Sequence, residues 1–127
     1  MQAFKTKWLA RFARREGISD SCLREALERA ERGIIDADLG GGLIKQRVAR
    51  PGQGRSGGYR TILAYRAQHR AVFLYGFAKN ERENIGQDDL ESFRDVAELF
   101  LSANAARIQK EIELGNLQEI VDESQVQ

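Results

Sequence analysis

Lys45 and Arg47 stand two apart in the stretch "LIKQRVAR", where apolar and basic residues alternate. Arg60 follows a glycine-rich segment, and Lys79, Asn80 and Arg82 follow the apolar run "AVFLYGFA". Lysine and arginine side chains in such clusters neutralise phosphate oxygens. Tyr59, Tyr65, Tyr75 and Phe77 are interleaved with them, and aromatic rings stack on unpaired bases. Charge for phosphates and rings for bases together describe a surface for single-stranded RNA. The bias is sharp. No Asp or Glu occurs between Asp38 and Glu81, whereas Lys45, Arg47, Arg50, Arg55, Arg60, Arg66, Arg70 and Lys79 all fall there.

The formal net charge of +1 conceals this asymmetry. Residues 1–80 carry 16 Lys/Arg and 7 Asp/Glu, and residues 81–127 carry 4 and 12. Such a chain pairs a polyanion-binding part with an acidic part that solvates or restrains it. Two solvated faces of opposite sign are the plainer alternative.

Other chemistries are poorly supplied. Gly52, Gly54 and Gly57 match G-x-G-x-x-G, but a dinucleotide site needs that pattern to open a helix and precede an acid. Here it opens a strand, and no acid appears before Glu81. The glycines instead let a loop approach a phosphate, with Arg55 at its tip. One His and one Cys cannot build a zinc cluster, so no metal or cofactor is expected. His69 falls in a turn and is expected to be exposed. A single Cys22 excludes an internal disulfide and fits a reducing compartment. No apolar run approaches the roughly 18 residues of a membrane span. The N-terminus lacks a secretion signal, which points to the cytoplasm.

The elements that must position these residues follow from periodicity. Phe4, Trp8 and Phe12 recur every four residues, which predicts an amphipathic helix with Trp8 in the core and Gly17 as its stop. "ISDSCLREALERAERG" predicts a second helix, capped by Ser19 or Asp20 and ended at Gly33. The period then falls to two, predicting strands at "LIKQRVAR", "YRTILAYR" and "AVFLYGFAK" as an antiparallel meander. A helix follows, with Asp88 and Glu91 as a capping box, and then an acidic, frayed tail. The order ααβββα predicts one α+β domain over residues 1–127, with two N-terminal helices on one side of the sheet and a C-terminal helix after it.

At "GRSGGYRTILAYR" and "FLYGFAKNERENI" the chain resembles the RelE/ParE superfamily of toxins from type II toxin–antitoxin systems, and it looks closest to the HigB-like branch. The resemblance covers residues 18–103 and leaves 104–127 as a helical extension and tail. It implies a RelE-like fold and a metal-independent endoribonuclease that cleaves mRNA on the ribosome. A cognate helix-turn-helix antitoxin would block it, and the pair would bind operator DNA through the antitoxin. Carried over by position, Lys45, Arg47, Arg60, Lys79 and Asn80 are the implied catalytic set. Asn80 stands where the family's founding member has arginine, and Arg82 is the nearest substitute. Arg50, Arg55, Tyr59, Arg66 and Arg82 complete the implied RNA-binding surface. Two alternatives share much of this pattern: a ParE-like inhibitor of DNA gyrase, and a non-catalytic RNA-binding homologue.

Overall fold

The first residues of the chain are extended, not helical. In the computed structural model, which describes residues 1–50, 54–78 and 85–121, β1 (Gln2–Thr6) precedes α1 (Lys7–Glu16) and α2 (Asp20–Glu31). Of Arg50 and residues 54–57, only the backbone is described. Then come β2 (Ala37–Gly40), β3 (Leu43–Arg50), β4 (Gly54–Arg66), β5 (Arg70–Ala78), α3 (Gln87–Ser102), α4 (Ala105–Glu113) and β6 (Leu117–Glu119). The described strands form one mixed sheet in the order β2-β3-β4-β5-β1-β6. The α+β class and the antiparallel β3-β4-β5 meander are as expected. The element order is not, because the periodicity predicts no strand at β1, β2 or β6.

Each correction has a local cause. Ala3 and Phe4 are buried in opposite core layers, as neighbours in a strand must be. β1 lies parallel to β5, with Phe4 opposite Val72. The helix starts only at Lys7, because the Thr6 side chain accepts a hydrogen bond from the Leu9 amide (3.2 Å) and caps it. Gly17 ends α1 in the left-handed conformation, and Ser19 caps α2. The expected Asp88–Glu91 capping box is absent. Gly86 is the N-cap of α3 without a side-chain bond, and Asp88 and Asp89 lie in its first turn, where the helix dipole favours acids. The long C-terminal helix is two helices, with the Asn104 side-chain carbonyl accepting from the Arg107 amide (2.8 Å) to start α4. The acidic tail is docked as far as the described residues run: β6 pairs with β1, and Ile120 is buried.

Two hydrophobic layers sandwich the sheet. On the first face, Leu9, Phe12, Leu23 and Leu27 pack over Ile44, Val48, Leu63 and Phe73. On the second face, Ala97 and Leu101 of α3 and Ile108 of α4 pack over Leu43, Ile62, Ala64 and Val72. A β-bulge decides which residues of β5 reach the second face. Ile62 pairs with Tyr75 and Leu63 with Phe73, so Leu74 is the extra residue. Tyr75 and Phe77 are thereby turned to the second face and Gly76 to the first. Gly76 must lack a side chain there, since a Cβ would sit 2.7 Å from Cε2 of Phe12. Among the described residues, no helix is long and apolar enough to cross a membrane.

Candidate nucleic-acid interface

The strand register sets the basic residues in rows. Arg47 pairs with Arg60, which pairs with Phe77; in the next row Lys45 pairs with Ile62, which pairs with Tyr75. Directly paired residues point to the same face, with Cα atoms about 5 Å apart. Lys45, Arg47 and Arg60 therefore share the second face of the sheet. The following row, Leu43 and Ala64, is buried under the side of α3 that carries Leu101. That helix can approach closely because Gly42 (φ 82°) has no Cβ to meet Leu101 Cδ1 at 2.7 Å. α3 thus covers Leu43, Ala64 and Ile62 and reaches Tyr75 through Phe93, and Lys45, Arg47 and Arg60 are the cations of the same face.

Arg60 is half-buried, and its Nη1 is buried and, among the described residues, has no hydrogen-bond partner. Desolvation lowers its pKa, Arg47 lowers it further, and Asp36 opposes both. The guanidinium remains charged, since arginine does not deprotonate in proteins near neutral pH. A cation held beside another cation with a donor left unmade has its natural complement in an oxyanion. Arg47 is the more open of the two, with 48% of its side chain exposed. Two adjacent guanidinium groups could hold a phosphodiester across its non-bridging oxygens.

The support beneath this pair is not apparent in the sequence. Asp36 Oδ2 accepts from the Arg47 amide (2.7 Å), and Oδ1 lies 3.8 Å from Arg47 Nε. The same carboxylate is 3.5 Å from Nη1 of the buried Arg29. Arg29 also donates to Glu25 and to the Arg47 carbonyl. Gln46, fully buried between Lys45 and Arg47, donates to the carbonyls of Ala26 (2.9 Å) and Ile34 (3.2 Å) and accepts from the Asp36 amide (2.7 Å). A polar residue at an inward position between Ile44 and Val48 is the one signal of this in the sequence. The acid-free interval in sequence is not acid-free in space.

The remaining expected residues divide. Lys79, Asn80 and Arg82 lie outside the described residues, as do the side chains of Arg50 and Arg55. Tyr59 is corrected: it pairs with Val48 on the first face, is 1% exposed, and donates its hydroxyl to Glu16 (3.1 Å). It packs edge-on against Phe12 and cannot stack on a base. Arg66, which is exposed, stands apart from the Arg47–Arg60 pair. Six residues along β4 from Arg60, about 20 Å away, it donates to the Leu101 carbonyl (3.3 Å). Beside it, Arg70 donates to the Phe100 (2.7 Å) and Ala103 (2.6 Å) carbonyls, so both cations finish the C-terminus of α3. Tyr65 donates to Glu31, and burial with that carboxylate raises its pKa. Among the described residues, no group of His, Cys, Asp and Glu is arranged to hold a metal ion.

One comparison with known proteins identifies a family. A family model described as the RelE toxin of the RelE/RelB toxin–antitoxin system matches residues 1–120, a longer span than the resemblance over residues 18–103. No curated protein sequence matches the chain significantly.

Proposed function

Because the chain belongs to the RelE toxin family, whose members have an antitoxin partner, we propose that it is a ribosome-dependent mRNA endoribonuclease of the HigB-like branch that arrests translation in the cytoplasm. The observation that carries this reading is the Arg47–Arg60 pair on the second face of the sheet, with Arg60 Nη1 buried and, among the described residues, without a hydrogen-bond partner. Cleavage proceeds by in-line attack of a ribose 2′-oxygen on the adjacent phosphorus. The bond to the 5′-oxygen breaks, leaving a 2′,3′-cyclic phosphate and a 5′-hydroxyl. Arg60 and Arg47 take up the charge that develops on the non-bridging oxygens, and such electrostatic stabilisation dominates the rate gain in many enzymes. Lys45, one row away on the same face, takes the proton of the 2′-hydroxyl in its neutral amine form. Lys79 and Asn80, with Arg82, serve the leaving oxygen, by resemblance alone. The cognate antitoxin is a helix-turn-helix protein through which the complex binds operator DNA.

The test is a cell-free translation reaction run beside a gyrase supercoiling assay. The purified chain stops synthesis, Arg60→Ala does not, and supercoiling continues in both. Uninterrupted synthesis with folded protein, or loss of supercoiling, refutes the reading.

A further inference from the structure

Lys5, Lys7, Arg11, Arg14 and Arg15 all precede Glu16, the first acid of the chain. Two of these cations have structural partners. Lys5 pairs with Asp20 (2.6 Å), and Arg15 pairs with Glu16 (3.2 Å) while its guanidinium lies over the Phe12 ring. Lys7, Arg11 and Arg14 are exposed, and among the described residues their side chains have no ion-pair or hydrogen-bond partner. Other arginines of the fold are tied to backbone carbonyls: Arg24 to Ile120, Arg70 to Phe100 and Ala103, and Arg94 to Leu39.

Helix physics does not account for this row. Lys7, Arg11 and Arg14 follow at i, i+4 and i+7, so they are neighbours on one face of α1, and like charges at such spacings destabilise a helix. Lys7 stands in the first turn, which holds no acid although the dipole there favours one. The dipole favours only Arg14 and Arg15, in the last turn. Leu9, Phe12 and Ala13 are the buried side of α1, so the row is turned away from the sheet.

The row is also separate from the Arg47–Arg60 pair. α1 packs on the first face of the sheet through Leu9 and Phe12, and the pair lies on the second. A helix about 10 Å thick and the sheet itself stand between them. The two surfaces therefore hold different stretches of nucleic acid. No ring free to read bases accompanies the row. Trp8, expected in the core, is 44% exposed, because Thr6 ends β1 by donating its hydroxyl to the Leu74 carbonyl (3.3 Å) and α1 begins at Lys7. Its indole is stacked between Tyr75 (centroids 4.4 Å apart) and Phe12 (5.4 Å), which leaves neither ring face for a base. Cations spread over about 10 Å of helix, without a stacking ring, suit phosphates alone. Duplex RNA is recognised in that way, by backbone and shape.

We infer that Lys7, Arg11 and Arg14 form a second RNA-binding surface, which holds the phosphate backbone of a double-stranded RNA segment on the side of the sheet opposite Arg47 and Arg60. The inference rests on the RNA reading proposed above for the identity of the polyanion.

The full chain is titrated with a dye-labelled RNA hairpin of about 16 base pairs, and separately with an unstructured oligoribonucleotide. Anisotropy is followed from about 50 to 200 mM salt. A triple variant, Lys7→Gln with Arg11→Gln and Arg14→Gln, keeps helix propensity and loses like-charge neighbours, so it folds. It should bind the hairpin about tenfold or more weakly near 100 mM salt, with a slope of log K against log salt shallower by about 2–3. A charge-matched variant, Arg32→Gln with Arg107→Gln and Lys110→Gln, should lose less than about threefold, as should Arg60→Ala, because distant exposed charges are screened. Against the unstructured strand, Arg60→Ala should be the weaker binder. Hairpin binding that is absent, untouched by the triple variant or lowered equally by the charge-matched one overturns the α1 assignment. The RNA reading stands in that case if single-strand binding still depends on Arg60. A DNA duplex bound as tightly through the same three residues overturns the choice of RNA for α1. No binding of either RNA by folded protein overturns both.

Discussion

Replacing Gln46 by leucine should test whether the cationic rows are held from below. The side chain keeps nearly the same volume, so packing between Ile44 and Val48 changes little. Three hydrogen bonds are lost, to the carbonyls of Ala26 and Ile34 and from the Asp36 amide. Each buried polar group left unmade costs about 1–3 kcal/mol. Residues 34–36 are exposed, so water can recover part of the loss at two of these groups. The expected net destabilisation is about 3 kcal/mol, equivalent to a fall in Tm of roughly 10 °C for a chain of this size. Urea unfolding followed by circular dichroism reads this as a lower midpoint at unchanged m. A second consequence follows from position. Gln46 holds the loop that brings Asp36 to the Arg47 amide, so phosphate binding should weaken even where the protein remains folded. A loss below about 0.5 kcal/mol would refute the claim that this buried amide anchors β3.

Three further outcomes follow from the same contacts. Arg60→Met should leave stability unchanged or raise it by up to about 1 kcal/mol, because it removes an unsatisfied buried donor and relieves repulsion with Arg47; a clear fall in the urea midpoint would contradict this. Tyr65 has its pKa raised by burial and by Glu31, so its contribution is fully present below the unfolded value of 10.0 and is lost as pH rises above it. Tyr65→Phe should therefore flatten the alkaline end of the stability–pH profile above about pH 10, and an unchanged slope would refute the assignment. Arg70→Met should destabilise by about 2 kcal/mol, since two buried charge-assisted bonds to the α3 terminus disappear; a loss within measurement error would show that the helix end does not depend on it.

Much of the fold was open to inspection in the sequence. The alternation in "LIKQRVAR" placed Lys45 and Arg47 on one face, and Gly17, Ser19 and the turn at Gln68 marked real boundaries. What escaped was set by contacts distant in sequence. Phe4 matches a helical stripe with Trp8 and Phe12, and only its pairing with β5 makes it a strand residue. Leu117 and Ile120 look like an acidic tail until β1 supplies a partner. At the site, Tyr59 and Arg60 are neighbours in a strand and so had to face opposite ways. Reading both as RNA contacts conflicted with a period of two. Asp36 was invisible as a counter-charge because eleven residues separate it from Arg47 along the chain. Trp8 was misplaced because the end of β1, which exposes it, depends on Thr6 and Leu74.

Whether this chain cuts mRNA through its arginine pair is decided by mapping new mRNA 5′ ends in a translation reaction containing the purified protein, with Arg60→Ala in parallel. Discrete cuts with 5′-hydroxyl ends that need the ribosome are expected, with a loss of about 100-fold or more in the variant. Intact mRNA with folded protein, or cutting that survives loss of Arg60, would contradict the nuclease assignment.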